Sequence, residues 1–198
     1  NTFCLARDGY AFVSQHIGDL ENQETLEQYV ATVALYERLF RLAPAGVAAD
    51  LHPDYLATRY AAERAAREGI PLVRVQHHHA HIAACLAENG WQPADGPAIG
   101  VALDGTGYGT DGAIWGGEWL VAEYAGFRRA AHLEYLPLPG GDAAVRRPAR
   151  VAAGYIQALL GHAMVPAGLL PRAEAEMVRA QVERRVNCPD TSSMGRLF

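Results

Sequence analysis

Residues 98–103 read Ala-Ile-Gly-Val-Ala-Leu and run straight into Asp104-Gly-Thr-Gly-Tyr-Gly-Thr-Asp-Gly112. Few folds accept that pairing. An apolar run without alternation predicts a buried central strand, and residues 113–122, with Trp115 and Trp119, predict the strand that returns beside it. Strand, turn and strand make a hairpin, not the strand–loop–helix of a dinucleotide fingerprint or a P-loop, so both are excluded. The backbone N–H groups of a glycine-rich turn can nevertheless cradle phosphate. Gly105, Thr106, Gly107, Gly109 and Thr110 are the candidates here.

Upstream stands Val75-Gln76-His77-His78-His79-Ala80-His81, which places four of the eight histidines within five positions. If the segment from Gln76 is helical, His77 and His81 lie one turn apart on one face. Two imidazoles so spaced can grip one divalent ion from a rigid support. Asp104, at the end of a strand, is positioned to add an oxygen ligand, leaving an open site for substrate oxygens. His78 and His79 point off that face, toward substrate contact or packing. A solvated histidine cluster is the plain alternative. An expression tag is not, because the run is short, internal and flanked by strand-like and helix-like sequence.

Half of the 198 residues are hydrophobic, enough for a substantial core in one or two domains. The formal charge of −5 gives no support to general nucleic-acid or membrane-surface affinity. No run of 18 apolar residues and no signal peptide is present, so a soluble, cytoplasmic protein is expected. Cys4, Cys85 and Cys188 are isolated and make neither a zinc motif nor a disulfide framework.

Taken in order, residues 2–5 and 10–14 predict a hairpin turning at Asp8-Gly9, and residues 15–22 a polar loop. Helices are expected at 24–42 and 55–68, the second capped by Asp54 and closed by Gly69, with strands at 47–50 and 72–75. The histidine helix then runs to Asn89-Gly90. A second glycine–acid turn at Gly140-Gly141-Asp142 precedes a helix from Pro148 to 160, and Asp142 suits either its cap or a ribose. Arg146, Arg147 and Arg150 form a basic patch beside it, either solvated or facing phosphate. Residues 172–185 predict a charged surface helix. The alternation describes an α/β architecture with a mixed sheet and flanking helices. The first residues fall directly into a strand and the last into the start of a helix, so both ends read as cut.

Six motifs occur in order: His16-Ile-Gly-Asp-Leu-Glu-Asn22, Asp50-Leu-His-Pro-Asp-Tyr-Leu-Ala-Thr-Arg-Tyr60, the histidine run, residues 103–118, Leu138-Pro-Gly-Gly-Asp-Ala-Ala-Val145 and Thr191-Ser-Ser-Met-Gly-Arg-Leu-Phe198. Together they resemble the HypF family of carbamoyltransferases that serve nickel–iron hydrogenase maturation. The resemblance spans nearly the whole chain. It implies the first part of a domain similar to the tRNA threonylcarbamoyladenosine transferase, with the actin-like ATPase (ASKHA) fold in partial form. Residues 1–97 would be the first actin-like half with the histidine helix, and 98–198 the start of the second half with the phosphate hairpin.

The resemblance also implies roles. His77, His81 and Asp104 match metal ligands, the 105–112 turn matches the phosphate-contacting hairpin, and Gly141 and Asp142 match the nucleotide-side loop. The expected reaction moves a carbamoyl group from carbamoyl-adenylate, made from carbamoyl phosphate and ATP, to the C-terminal cysteine of a HypE-like acceptor. The metal is Fe, Zn or Mn on chemical grounds, with Mg²⁺ entering with nucleotide. His78 or His79 would take the thiol proton. The family's acylphosphatase-like, zinc-finger and YrdC-like domains are not in these residues, nor is the second half of the transferase fold, so the piece by itself is expected to be incomplete. Two other readings are carried: an O-carbamoyltransferase of antibiotic or nodulation-factor type, and a non-catalytic metal- or nucleotide-binding module.

Overall fold

In the computed structural model, which describes residues 1–198, Cys4–Arg7 (β1) and Tyr10–Val13 (β2) pair antiparallel around Asp8 and Gly9. Both turn residues take positive φ, as a two-residue hairpin requires. Asn22 then caps the helix Gln23–Phe40 (α1), its side chain accepting the Thr25 N–H at 2.9 Å. Val47–Asp50 (β3) and Leu72–Val75 (β4) pair parallel across the crossover helix Leu56–Glu68 (α2), and Gly69 ends α2 in the left-handed region. The expected Asp54 cap is not made. Tyr55 occupies the cap position without a side-chain cap bond, and the Asp54 N–H is turned to His52 Nδ1 at 3.2 Å. These elements belong to one compact unit, Asn1–Val75.

The second unit, Gln76–Phe198, is built on a mixed five-stranded sheet. Ala98–Tyr108 (β5) pairs antiparallel with Ile114–Glu123 (β6). The far edge of β6 is shared by Gly126–His132 (β7), antiparallel, and by Asp190–Thr191 (β9), parallel, which also pairs with Leu136–Pro137 (β8). His77–Glu88 (α3) lies on the sheet through Ile82 and Leu86, against Ala102, Trp115, Leu120 and Ala122. The short helix Asp142–Val145 (α4) leads into Pro148–Leu160 (α5), and α5 packs on Arg172–Arg184 (α6) through Ala153, Leu170 and Val178.

Two expectations change here. β5 is an edge strand, not a central one, and only one of its faces is covered. Ala102 is buried on the α3 side while Ile99, Val101 and Leu103 stand exposed on the other. The 104–112 segment is also not a single turn: β5 continues to Tyr108, and the turn proper is residues 109–113. No helix is long and apolar enough to cross a membrane.

The basic patch also resolves into structure. Arg150 is buried, bonded to Glu174 (3.0 Å), Gln181 (2.7 Å) and the Pro139 carbonyl (3.2 Å), and Arg147 pairs with the same glutamate at 2.9 Å. These two cations tie α5 to α6. Asp142 is exposed at the first position of α4 and caps nothing, Arg147 occupying the cap position of α5.

Candidate metal centre

Strand alternation puts Gly100, Ala102 and Asp104 on the face of β5 that carries α3. The ladder with β6 then breaks between Leu103 and Gly107, so that Asp104, Gly105 and Thr106 bulge opposite Gly116. The bulge resets the alternation and turns Gly107 toward α3 as well. A Cβ on Gly107 would lie 2.5 Å from His78 Cε1 and 3.1 Å from His77 Cβ. Glycine at 107 is what lets the histidine helix close on the strand. Gly107→Ala is expected to push α3 away at a cost of about 1–3 kcal/mol by overpacking. Thermal unfolding would read that cost, and metal affinity should fall with it. Unchanged stability and metal affinity would contradict this close packing.

With the helix seated, three donors converge. His77 Nε2 and His81 Nε2 are 3.1 Å apart, and Asp104 Oδ2 is 3.2 Å from the first and 3.9 Å from the second. His77 and Asp104 are half-buried, and His81 opens to solvent. Two imidazole nitrogens this close either share a hydrogen bond, one ring donating and the other accepting, or face a common cation. Nitrogens each about 2.0–2.1 Å from one ion lie roughly 2.8–3.4 Å apart at octahedral to tetrahedral angles. The two shorter separations fall in that range, and the third closes with a small carboxylate rotation. The donor set therefore fits a divalent ion, and imidazole with carboxylate suits Fe, Zn or Mn.

Behind the triad lies an orienting layer. The Gln76 side-chain carbonyl caps α3 by accepting the His79 N–H at 2.9 Å, which fixes the amide orientation. Its NH₂ then reaches the Tyr108 carbonyl and His78 Nδ1, both at 3.2 Å. A donor at Nδ1 makes that nitrogen the acceptor, so the His78 proton sits on Nε2. That atom is buried without a hydrogen-bond partner and faces Asp104 Oδ2 at 3.7 Å. Burial first, and the neighbouring His77 next, hold the His78 pKa below the usual imidazole value. His79 is buried too, its Nε2 bonded to the Glu123 carbonyl at 2.7 Å. Both histidines named for proton transfer are thus enclosed, one beside the aspartate and one tied to the end of β6.

The hairpin residues divide by environment. Thr106 and Thr110 are exposed, Gly105 is half-exposed, and Gly107 and Gly109 are buried against His78 and Trp115. The Gly105 N–H is held by Asp104 Oδ1 (2.6 Å) and the Gly109 N–H by the Ala113 carbonyl (2.9 Å). Gly141 and Asp142 belong to the α4 turn, where the Gly141 N–H closes on the Leu138 carbonyl at 3.1 Å.

Beneath the hairpin runs a polar network that residue-type reasoning passed over. Glu118 is fully buried and accepts from the Gly116 and Gly117 N–H groups, the Ser192 hydroxyl and Arg129 Nε (2.6 Å). Arg129 also stacks 3.9 Å over the Trp115 ring and bonds Asp111 and Tyr135. The one sequence signal was Glu118, a charge inside the strand expected at 113–122.

An α/β chain of actin-like type that converges two imidazoles and a carboxylate at a glycine-rich strand defines a class, and comparison with known proteins narrows it. Residues 1–88 match the family model described as the HypF Kae1-like domain. Residues 100–198 match the carbamoyltransferase Kae1-like domain, second subdomain. The chain belongs to the HypF carbamoyltransferase family. It is 52% identical over 199 residues to carbamoyltransferase HypF2 of Cupriavidus necator, covering 100% of this chain and 24% of that protein. It is 44% identical over 195 residues to carbamoyltransferase HypF of Rhodobacter capsulatus, covering 98% and 26%. A crystal structure of full-length HypF in a phosphate- and nucleotide-bound form superposes with a TM-score of 0.91 at 42% identity, covering all of this chain and 30% of that one. HypF of T. kodakarensis superposes at 0.83 with 34% identity, covering 100% and 27%. The chain thus spans about a quarter of the length of the curated relatives it matches.

Proposed function

We propose that this chain carries the metal-binding part of a site that transfers a carbamoyl group from carbamoyl-adenylate to the C-terminal cysteine thiol of a HypE-like acceptor protein. Carbamoyl phosphate and ATP would supply the adenylate. The convergence of His77 and His81, from the 1–88 family match, with Asp104, from the 100–198 match, supports the reading most directly. Those three residues would hold the ion. When bound, it supplies Lewis-acid polarisation of the acyl or phosphate oxygens.

The remaining work falls to the chain itself. Gln76 orients His78, whose Nε2 faces the Asp104 carboxylate at 3.7 Å, and such a residue behind the ligands would support their geometry. Exposed Thr106 and Thr110, with half-exposed Gly105, form the surface that would meet the substrate phosphate. The acceptor thiol, partly ionised near neutral pH, attacks as thiolate. Its sulfur forms the S–C bond, the C–O bond to phosphate breaks, and the electron pair leaves on AMP. The thiol proton passes to solvent, because His78 and His79 are enclosed.

The test is a transfer assay with labelled carbamoyl phosphate and ATP, using the family protein that contains this chain. Three acceptors are compared: a HypE-like protein ending in cysteine, the same protein ending in serine, and a sugar hydroxyl. Label on the cysteine form alone is expected. Label on the sugar would favour O-carbamoyl transfer, and label on none would leave a binding module.

A further inference from the structure

We infer that Arg196 is a phosphate-binding residue of this site, which places a fixed cation beside Asp104 for a nucleoside monophosphate to bind. This rests on the carbamoyl-adenylate reading, since the leaving group there is AMP.

Met194–Arg196 is one turn of 3-10 helix capped by Ser193, whose hydroxyl oxygen accepts the Arg196 N–H at 3.1 Å. The same hydroxyl is shared between the carbonyls of Asp104 (3.0 Å) and Gly105 (2.8 Å). The turn also lies flat on the strand: a Cβ on Gly195 would come within 2.8 Å of Gly105 Cα and 2.9 Å of its nitrogen. A side chain at 195 would lift the turn away. The last residues are thus fastened to the bulge that aims Asp104, and Arg196 is delivered with them.

The guanidinium occupies the space where a residue-105 side chain would project. A Cβ built there would be 3.4 Å from Arg196 Nη2 and 3.6 Å from Cζ. No carboxylate forms an ion pair with it, and the acid next to Gly105 is engaged elsewhere: Asp104 Oδ1 is bonded to the Gly105 N–H, and Oδ2 faces the histidines. Arg129, Arg147 and Arg150, by contrast, are each paired with a carboxylate. An arginine held by its backbone, partly exposed and without a carboxylate partner suits two oxygens of one phosphate, which a planar guanidinium binds in parallel. Its position one residue from a metal-site carboxylate would also oppose the charge that develops on phosphate as the C–O bond breaks.

Calorimetric titration of AMP and adenosine into the family protein that contains this chain, as wild type, Arg196→Met, Arg196→Lys and the exposed control Arg184→Met, tests this. The wild type should prefer AMP to adenosine by roughly tenfold or more, and salt should shrink the difference. Arg196→Met should abolish the preference while leaving adenosine affinity and thermal unfolding as in the wild type. Arg196→Lys should keep part of it, and Arg184→Met all of it. Equal AMP affinity in wild type and Arg196→Met would overturn the inference, as would a wild type without preference. An Arg196-dependent preference without carbamoyl transfer would retain the anion site and remove the transfer reading. Transfer to cysteine with unchanged AMP binding in Arg196→Met would do the reverse.

Discussion

Glu118→Ala is expected to destabilise the chain by about 3–5 kcal/mol, because removing one partner of a buried pair is costly and Arg129 would keep only the more exposed Asp111 as a carboxylate partner. The Arg129 Nε–H, the Gly116 and Gly117 N–H groups and the Ser192 hydroxyl would lose their acceptor. Glu118→Gln keeps the shape but sets an amide where the guanidinium needs a carboxylate, and should cost less. Urea denaturation of both variants checks the order. The network also predicts a pH dependence. Burial pushes the Glu118 carboxyl up, but Arg129, Ser192 and the Gly116 N–H outweigh it and hold its pKa below the ordinary glutamate value. A lowered folded value stabilises above the unfolded pKa of about 4.3, and the contribution drains away as pH falls from there through the folded value. The stability gap between wild type and Glu118→Gln should therefore be full at neutral pH and narrow on acidification. A gap independent of pH would show that the carboxylate charge does not hold this network together.

That network marks where residue types stop being informative. The strands Val47–Asp50 and Leu72–Val75 and the helix Pro148–Leu160 have the limits their composition indicates, since short apolar stretches and a first-turn proline act locally. The spacing of His77 and His81 likewise needed only helical periodicity. β7, β8 and β9 were not legible. Two of them are two residues long, and β7, with Arg128 and Arg129 adjacent, exists because β6 offers it a ladder. Burial on one face only made β5 look more central than it is, because alternation among Ile99, Val101 and Leu103 on one side and small residues on the other reads as a continuous apolar run.

The glycines carry a similar lesson. In sequence, Gly105, Gly107 and Gly109 look like one phosphate-cradling repeat. In three dimensions they meet different neighbours: Arg196, the histidine helix and Trp115 respectively. The cause is the bulge between Leu103 and Gly107, a break in register that no local pattern announces. Asp104 could be named from its place at the end of an apolar run, but the support from Gln76 and His78 depends on a fold contact with Tyr108 across 32 residues.

The most direct measurement is metal content by elemental analysis after exposure to Fe²⁺, Zn²⁺ or Mn²⁺, for the wild type and for His77→Ala/His81→Ala. His77, His81 and Asp104 each offer one donor atom within 4.8 Å of the others. Removing two of three ligands should weaken binding by well over roughly 100-fold, beyond the loss typical of an outer-support mutation. The expected result is about one ion per wild-type chain and none retained by the double variant, with circular dichroism unchanged. A double variant that keeps the wild-type stoichiometry, or a wild type that takes up none of the three ions, would contradict the assignment of these residues as the metal centre.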